Sequence, residues 1–372
     1  MKKNTLIIMP FTLPWDWSAD FQRQTCLELA KRDLKVIAYM SDDAHFFLKK
    51  NIQKYQKIKN ISFYIPKYYI PFRKFKFIEK INKYLSLLIL SFKLRWKRKI
   101  IWIFDPQFHY FPNFFQNKTS IYDCVDFFGK EQENDELKLI KNVDKIFVNS
   151  QSLLNTHKSK KNEIFLVPQG FNQNEFEKNL KLLNKKKKHK KPIIGYVGGI
   201  NYRFDYKLLI NLISTNPKWN FSFWGPIQNY PGENLNNILK QITNIQQFPN
   251  VQFNSTKNKL ELINAINNFD ICIIPYDIKQ KFNLYCYPMK IFEYFYMGKP
   301  VISTPIKELE LSKFNNLVKI HNSYQDWENQ IKKILSKPWS TKIYSQQKKL
   351  AIDNSWKNKV DAVLDIIGEI NL

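Results

Sequence analysis

The chain has 372 residues, 44% of them hydrophobic and 16% aromatic, which is enough for two packed cores and excludes a disordered protein. Its 59 lysines and arginines against 32 acids leave a formal charge of +27, yet only six of the bases are arginine: Arg23, Arg32, Arg73, Arg95, Arg98 and Arg203. Proteins that read bases through bidentate contacts favour arginine, so nucleic acid is not the expected partner, although it and an anionic membrane both stay electrostatically open beside plain lysine-rich coding bias.

The N-terminal MKKNTLIIMPFTLPW has an apolar run stopped by Pro10 and no small-residue cleavage site. It reads as a first strand rather than a signal peptide. Continuous apolar runs predict strands over 5–10, 35–40, 61–66, 100–104, 120–124, 145–150 and 163–168, of the kind covered on both faces of a parallel sheet. A helix is predicted over 19–33. Residues 65–100 carry eleven Lys/Arg against one Glu, interleaved with aromatics. That pattern reads either as a helix lying on an anionic membrane or as a solvated helix of biased composition. YLSLLILSF (84–92) is far short of the ~18 apolar residues of a span. The segment 171–191 ends in a lysine tract and reads as a surface linker between an N-terminal domain (1–170) and a second one (192–342). Strands resume over 192–199, 221–226, 251–255, 270–276 and 300–305, with helices over 206–214, 258–269 and 289–297. Two more helices close the chain, over 323–336 and 343–368. The alternation predicts an α/β fold of two doubly wound domains, with ligands beyond the carboxyl ends of the strands. Cys26, Cys124, Cys272 and Cys286 form no C-x-x-C pair and suit free thiols in a reducing compartment; no zinc or other metal site is expected.

The segment YPMKIFEYFYMGKPVIST (287–304) is the most suggestive one. Pro288 suits a first helical position, and Lys290 and Glu293 are spaced to share a face. A helix N-terminus with a lysine beside it suits a phosphate, and a carboxylate one turn on suits ribose hydroxyls. Spacing alone favours a plain Lys290–Glu293 surface pair over a ligand site. In GYVGGINYRFDY (195–206), Gly199 lets backbone approach a ligand and Arg203 is a candidate cation, while Asp205 reads as a helix cap. Asp123 and Asp126 stand at a strand end, as acceptor-contacting groups or as loop caps, and His109 follows another strand.

The order of these segments resembles the retaining group 1 (family 4) glycosyltransferases, a GT-B fold family, in its teichuronic-acid, capsule and lipopolysaccharide branch. The likeness runs through IYDCVDFF (121–128), KIFVNSQSL (145–153), FLVPQGFNQNEF (165–176), PIIGYVGGI (192–200), NFSFWGP (220–226), NVQFNST (250–256), FDICIIPY (269–276) and P-x-K-x-x-E-Y with G-K-P-V-I-S-T; PWDWSADFQRQ (14–24) is similar to that branch's first loop. The resemblance implies two Rossmann-like domains facing a central cleft, with a terminal segment (343–372) packing back toward the first. It implies a nucleotide-sugar donor held by Glu293 at the ribose, by Met289, Lys290 and Gly199 at the pyrophosphate, and by Arg203. It implies a glycan or lipid-linked acceptor met by Trp15, Asp16, Trp17, Arg23 and His109, with Asp123 and Asp126 in the catalytic part. No cofactor is implied. Where many members carry a second glutamate, this chain has Tyr285, which leaves the sugar open. The expected setting is cytoplasmic, with peripheral contact to the membrane's inner face through 65–100. A UDP-sugar epimerase of the same fold, or a non-catalytic basic binding protein, are the competing readings.

Overall fold

The computed structural model describes residues 5–12, 14–15, 21–41, 58–67, 69–71, 75–160, 163–183, 189–228, 234–256 and 258–368. The chain divides into two units, one of Met1–Gly170 with Trp356–Leu372 and one of Phe171–Ser355.

In the first unit, seven parallel strands form a single sheet: β1 (Leu6–Phe11), β2 (Lys35–Met40), β3 (Ile61–Tyr64), β4 (Lys99–Ile103), β5 (Lys118–Cys124), β6 (Lys145–Val148) and β7 (Ile164–Leu166). Their order is β3-β2-β1-β4-β5-β6-β7. Alternation along each strand serves two cores. Ile7, Met9, Ile100, Trp102 and Ile121 join one, and Ile8, Ile101, Ile103, Tyr122 and Cys124 the other. The first core also takes Val360, Val363 and Leu364 from the terminal helix Trp356–Ile366. Helix Lys76–Lys93 covers the second with Leu87 and Leu90.

The second unit has six parallel strands: β8 (Ile193–Val197), β9 (Asn220–Trp224), β10 (Val251–Asn254), β11 (Ile271–Ile274), β12 (Val301–Ser303) and β13 (Lys319–Ile320), in the order β10-β9-β8-β11-β12-β13. In both sheets the strand order reverses once, between β1 and β4 and between β8 and β11. At such a switch point the following loops part in opposite directions and leave a crevice at the carboxyl ends of the strands.

Two expectations need correction, and two elements were not expected. The segment 171–191 is not simply a linker: helix Gln173–Leu180 lies in it, and Phe171 and Phe176 are buried against Tyr296. The closing helix is two, Thr341–Asp353 and Trp356–Ile366. The chain leaves the second unit in the break between them. There Gly170 admits Trp356, whose Cα would lie 2.6 Å from a Cβ at that position. Helix Leu235–Gln246 and strand β13 have no counterpart in the sequence reading.

Candidate functional site

The β8–β11 switch point gathers the donor-side candidates. The loop after β8 and the loop after β11 are stitched together: Asp205 N–H donates to Pro275 O and Asp277 N–H to Arg203 O, both at 2.8 Å. This fixes Arg203 above Tyr276, with the guanidinium carbon 4.2 Å from the ring centroid, while its Nε donates to Asn283 Oδ1 at 2.7 Å. Asn283 is fully buried and donates back to Arg203 O and Asp277 O.

Lys290 reaches the same phenol from helix Lys290–Tyr296. Its ammonium donates to the Tyr276 hydroxyl and stands 4.9 Å from the Tyr276 ring and 5.0 Å from that of Tyr196. Burial alone would raise the Tyr276 phenol; the Arg203 and Lys290 charges outweigh it and hold the phenol below its usual value. Gly198, at φ +124°, lies against this lysine, and a Cβ there would come within 3.2 Å of Lys290 Cε. Only glycine adopts that backbone without strain. Gly199 is instead covered by Gln228, whose Oε1 would collide with any Cβ. Met289 is half-buried at the start of the helix, packed on the core.

The surface pair that spacing allowed does not form. Glu293 pairs instead with Lys259, from the start of helix Lys259–Asn268. Asp205 is the expected cap, accepting from Leu208 N–H at 2.9 Å. Tyr285 ends the short helix Lys281–Leu284, at intermediate exposure. Behind the Arg203 loop opens a separate cavity of about 690 Å³, lined among others by Tyr202, Asp205, Asn237, Asp277 and Tyr324. It contains neither Lys290 nor Glu293, and the charge convergence marks the site better than the volume does.

The first-unit candidates are more dispersed. Asp123 is fully buried: one oxygen accepts from Trp102 Nε1 at 3.1 Å and the other from Lys359 Nζ at 2.9 Å. Period-two alternation turns it with Ile121 toward the terminal helix, so it anchors that helix rather than facing a substrate. Asp126 is half-exposed just beyond β5. Trp15 is core, between Phe11 and Phe63 at ring distances of 5.5 and 4.9 Å. Asp16 and Trp17 lie outside the described residues, and Arg23 is half-buried on helix Phe21–Lys31. His109 sits 3.6 Å from Asp135; burial and the lysines Lys138 and Lys80 lower its pKa, against the pull of Asp135.

Sequence reading passed over two groups. Asp105 follows β4 at the β1–β4 switch point and accepts from Gln107 N–H at 2.9 Å, and burial lifts its carboxyl above the usual range. Its signal was its place directly after a strand. The other is a buried cluster of Cys124, Glu136 and His157, within 4.8 Å of one another. Those atoms have metal-ligand chemistry, but the Tyr122 hydroxyl already donates to Glu136 Oε1 at 2.8 Å, and burial pushes the Cys124 thiol far up. In this state it is a hydrogen-bonded core group.

Residues 175–369, just over half of the chain, match the family described as Glycosyl transferases group 1. The chain belongs to this family. Among relatives of this group 1 glycosyl transferase is TuaH of Bacillus subtilis (strain 168), which carries the provisional name of a teichuronic acid biosynthesis glycosyltransferase. It is 23% identical over 229 residues, 56% of either chain, so the match spans little more than half of that relative. A glycosyltransferase of Rickettsia africae ESF-5 superposes with a TM-score of 0.70 at 16% identity, covering 99% of both chains. HepE of Anabaena, solved with UDP and glucose, superposes at 0.68 and 12% identity, covering 98% of this chain and 99% of its own. The fold of this group 1 member is thus GT-B, two parallel α/β sheets of Rossmann type.

Proposed function

We propose that the chain is a retaining glycosyltransferase that moves a sugar from a nucleotide-diphosphate sugar to a glycan or lipid-linked acceptor in bacterial surface polysaccharide synthesis. The observation that carries this is the convergence of Arg203 and Lys290 on one buried phenol beside the side-chain-free Gly198, at a switch point. Two fixed cations beside a buried phenol suit a diphosphate, and they stabilise it most as it departs with the bonding electrons of the sugar–oxygen bond. Glu293 is the ribose partner in this reading, exchanging Lys259 for two hydroxyls. Membership of the transferase family and the likeness to HepE, solved with UDP and glucose, support the donor class. The name of TuaH supports the setting.

On the acceptor side, Asp126, Arg23, His109 and the added Asp105 are the groups we assign to hydroxyl contacts, with Asp123 acting on structure alone. Neither metal nor cofactor enters the proposed step. Peripheral attachment to the membrane's inner face belongs to the same reading, because a lipid-linked acceptor is presented there; among the described residues, no helix is long and apolar enough to cross a membrane.

A thermal-shift series of nucleotides and nucleotide sugars tests the proposal, since a ligand bound only by the folded state raises the midpoint. UDP or GDP should stabilise the wild type, and Lys290→Ala and Glu293→Ala should each blunt the shift. Unchanged shifts in both variants would sink the assignment. Incubating the donor without acceptor separates the epimerase: a transferase leaves the sugar's configuration intact.

A further inference from the structure

Helix Lys76–Lys93 presents an outward face unlike that of a solvated helix. Phe77, Ile81, Leu88 and Phe92 are spaced by four, seven and four residues, which places them on one stripe. Phe77 and Phe92 are 65% and 66% exposed, and Trp96, just past the end, is 83% exposed. The other exposed positions described on this helix are Lys80 and Lys93. The inner face is firmly held. Asn82 is fully buried, accepts from Tyr69 and Ile70 N–H at 2.7 and 2.8 Å, and donates to Ile70 O. Leu87 and Leu90 enter the core. The stripe is therefore a rigid outer surface and not a core face left unpacked by rotation.

Charge decides what covers it. Lys93, Arg95 and Lys97 follow the stripe at the surface, and the Arg95 guanidinium stacks 4.1 Å over Phe92. The single acid between residues 65 and 100, Glu79, is paired with Lys83. Beside the stripe a groove of about 550 Å³ is lined by Leu88, Phe92 and Phe114, with Lys93 and Arg95 at its rim. We propose that this face is a docking surface for an anionic lipid bilayer. Phe77, Ile81, Leu88, Phe92 and Trp96 enter the boundary of headgroups and acyl chains, and the basic side chains meet the lipid phosphates. Apolar burial and a basic fringe together supply the two signals that stable interfacial attachment requires. A second copy of the chain fits worse, because a two-fold contact would bring the same cations together. The inference deepens the acceptor reading above, yet its test needs no turnover.

The experiment is co-sedimentation of the full chain with phosphatidylglycerol–phosphatidylcholine vesicles and with phosphatidylcholine vesicles alone, alongside analytical ultracentrifugation without lipid. The wild type should bind the anionic vesicles preferentially. Phe92→Glu/Trp96→Glu, and separately Lys93→Glu/Arg95→Glu, should weaken that binding about tenfold or more, the scale of losing large buried apolar side chains or several lipid-facing charges. An unchanged melting midpoint and circular dichroism spectrum show that the variants are folded. Equal binding by wild type and variants, absent binding by the wild type, or a lipid-free dimer dissolved by Phe92→Glu/Trp96→Glu would overturn the proposal. Vesicle binding without any nucleotide response would instead fail the donor assignment and leave this surface standing.

Discussion

Tyr276 ties together the two cations of the candidate donor site, and its own ionisation reports on them. Removing one cation lets burial push the phenol back up. Lys290→Met should therefore raise the Tyr276 pKa, read as phenolate absorbance against pH with Tyr276→Phe as the difference reference. A pKa unmoved by the substitution would mean that Lys290 does not face this ring. Asp123 and Lys359 make the opposite kind of pair, closed to solvent on both sides. Breaking a buried pair strands one charge, at a cost of about 3–5 kcal/mol. Lys359→Met should show that loss in urea unfolding, whereas a carboxylate engaged only in chemistry would leave stability near wild type.

The terminal helix Trp356–Ile366 is held to the first unit by a second contact, in which Arg32 donates to Asp361 Oδ1 through Nε at 2.8 Å and Nη2 at 2.5 Å. Burial opposes ionisation of Asp361, but the bonds from Lys357 and Arg32 prevail and hold its pKa below the usual carboxylate range. A depressed carboxyl contributes stability above its unfolded value, about 3.9, and that contribution disappears as pH falls through the folded value. Protection from hydrogen exchange across 356–366, relative to the intrinsic rate at each pH, should therefore fall as pH drops below about 4, and Arg32→Ala should lower that protection already at neutral pH. Gly198 makes a comparable demand on the loop after β8. Gly198→Ala forces a side chain into positive φ and against Lys290, at about 1–3 kcal/mol, and should weaken nucleotide binding more than it lowers the melting midpoint.

Across the whole molecule the chain leaves the first unit at residue 170 and returns at 356. A chain ending at Ser355 loses Val360, Val363 and Leu364 from the core around Ile7, Met9 and Trp102 and leaves Asp123 without Lys359. Such a chain should bind a hydrophobic dye and aggregate, although the β8–β11 switch point, built wholly from residues 171–355, keeps its contacts. A soluble truncated chain with unchanged near-UV circular dichroism would contradict this account of the terminal helix.

Much of this organisation was legible in the residues. Parallel strands buried on both faces leave continuous apolar runs, so twelve of the thirteen strands among the described residues and the alternation of layers could be placed; the two residues of β13 are too few to leave a pattern. The P-x-K-x-x-E spacing, the Gly-Gly pair and Arg203 were legible as candidates through the order of their segments, which resembles the family, since a lone charged pair or a tight turn is ordinary on a surface. What the residues could not reveal were the partners. Lys290 meets Tyr276 and Glu293 meets Lys259, although spacing would join Lys290 to Glu293. Asp123 looked available for chemistry until Lys359, 236 positions away, closed over it. Composition likewise left residues 65–100 divided between membrane and solvent, and only packing showed that the aromatic stripe is the side turned outward. Sequence alone determined the elements, because a strand or helix records its burial in its own periodicity; tertiary structure decided the contacts, because a charge's partner depends on which distant segments the sheet order brings together.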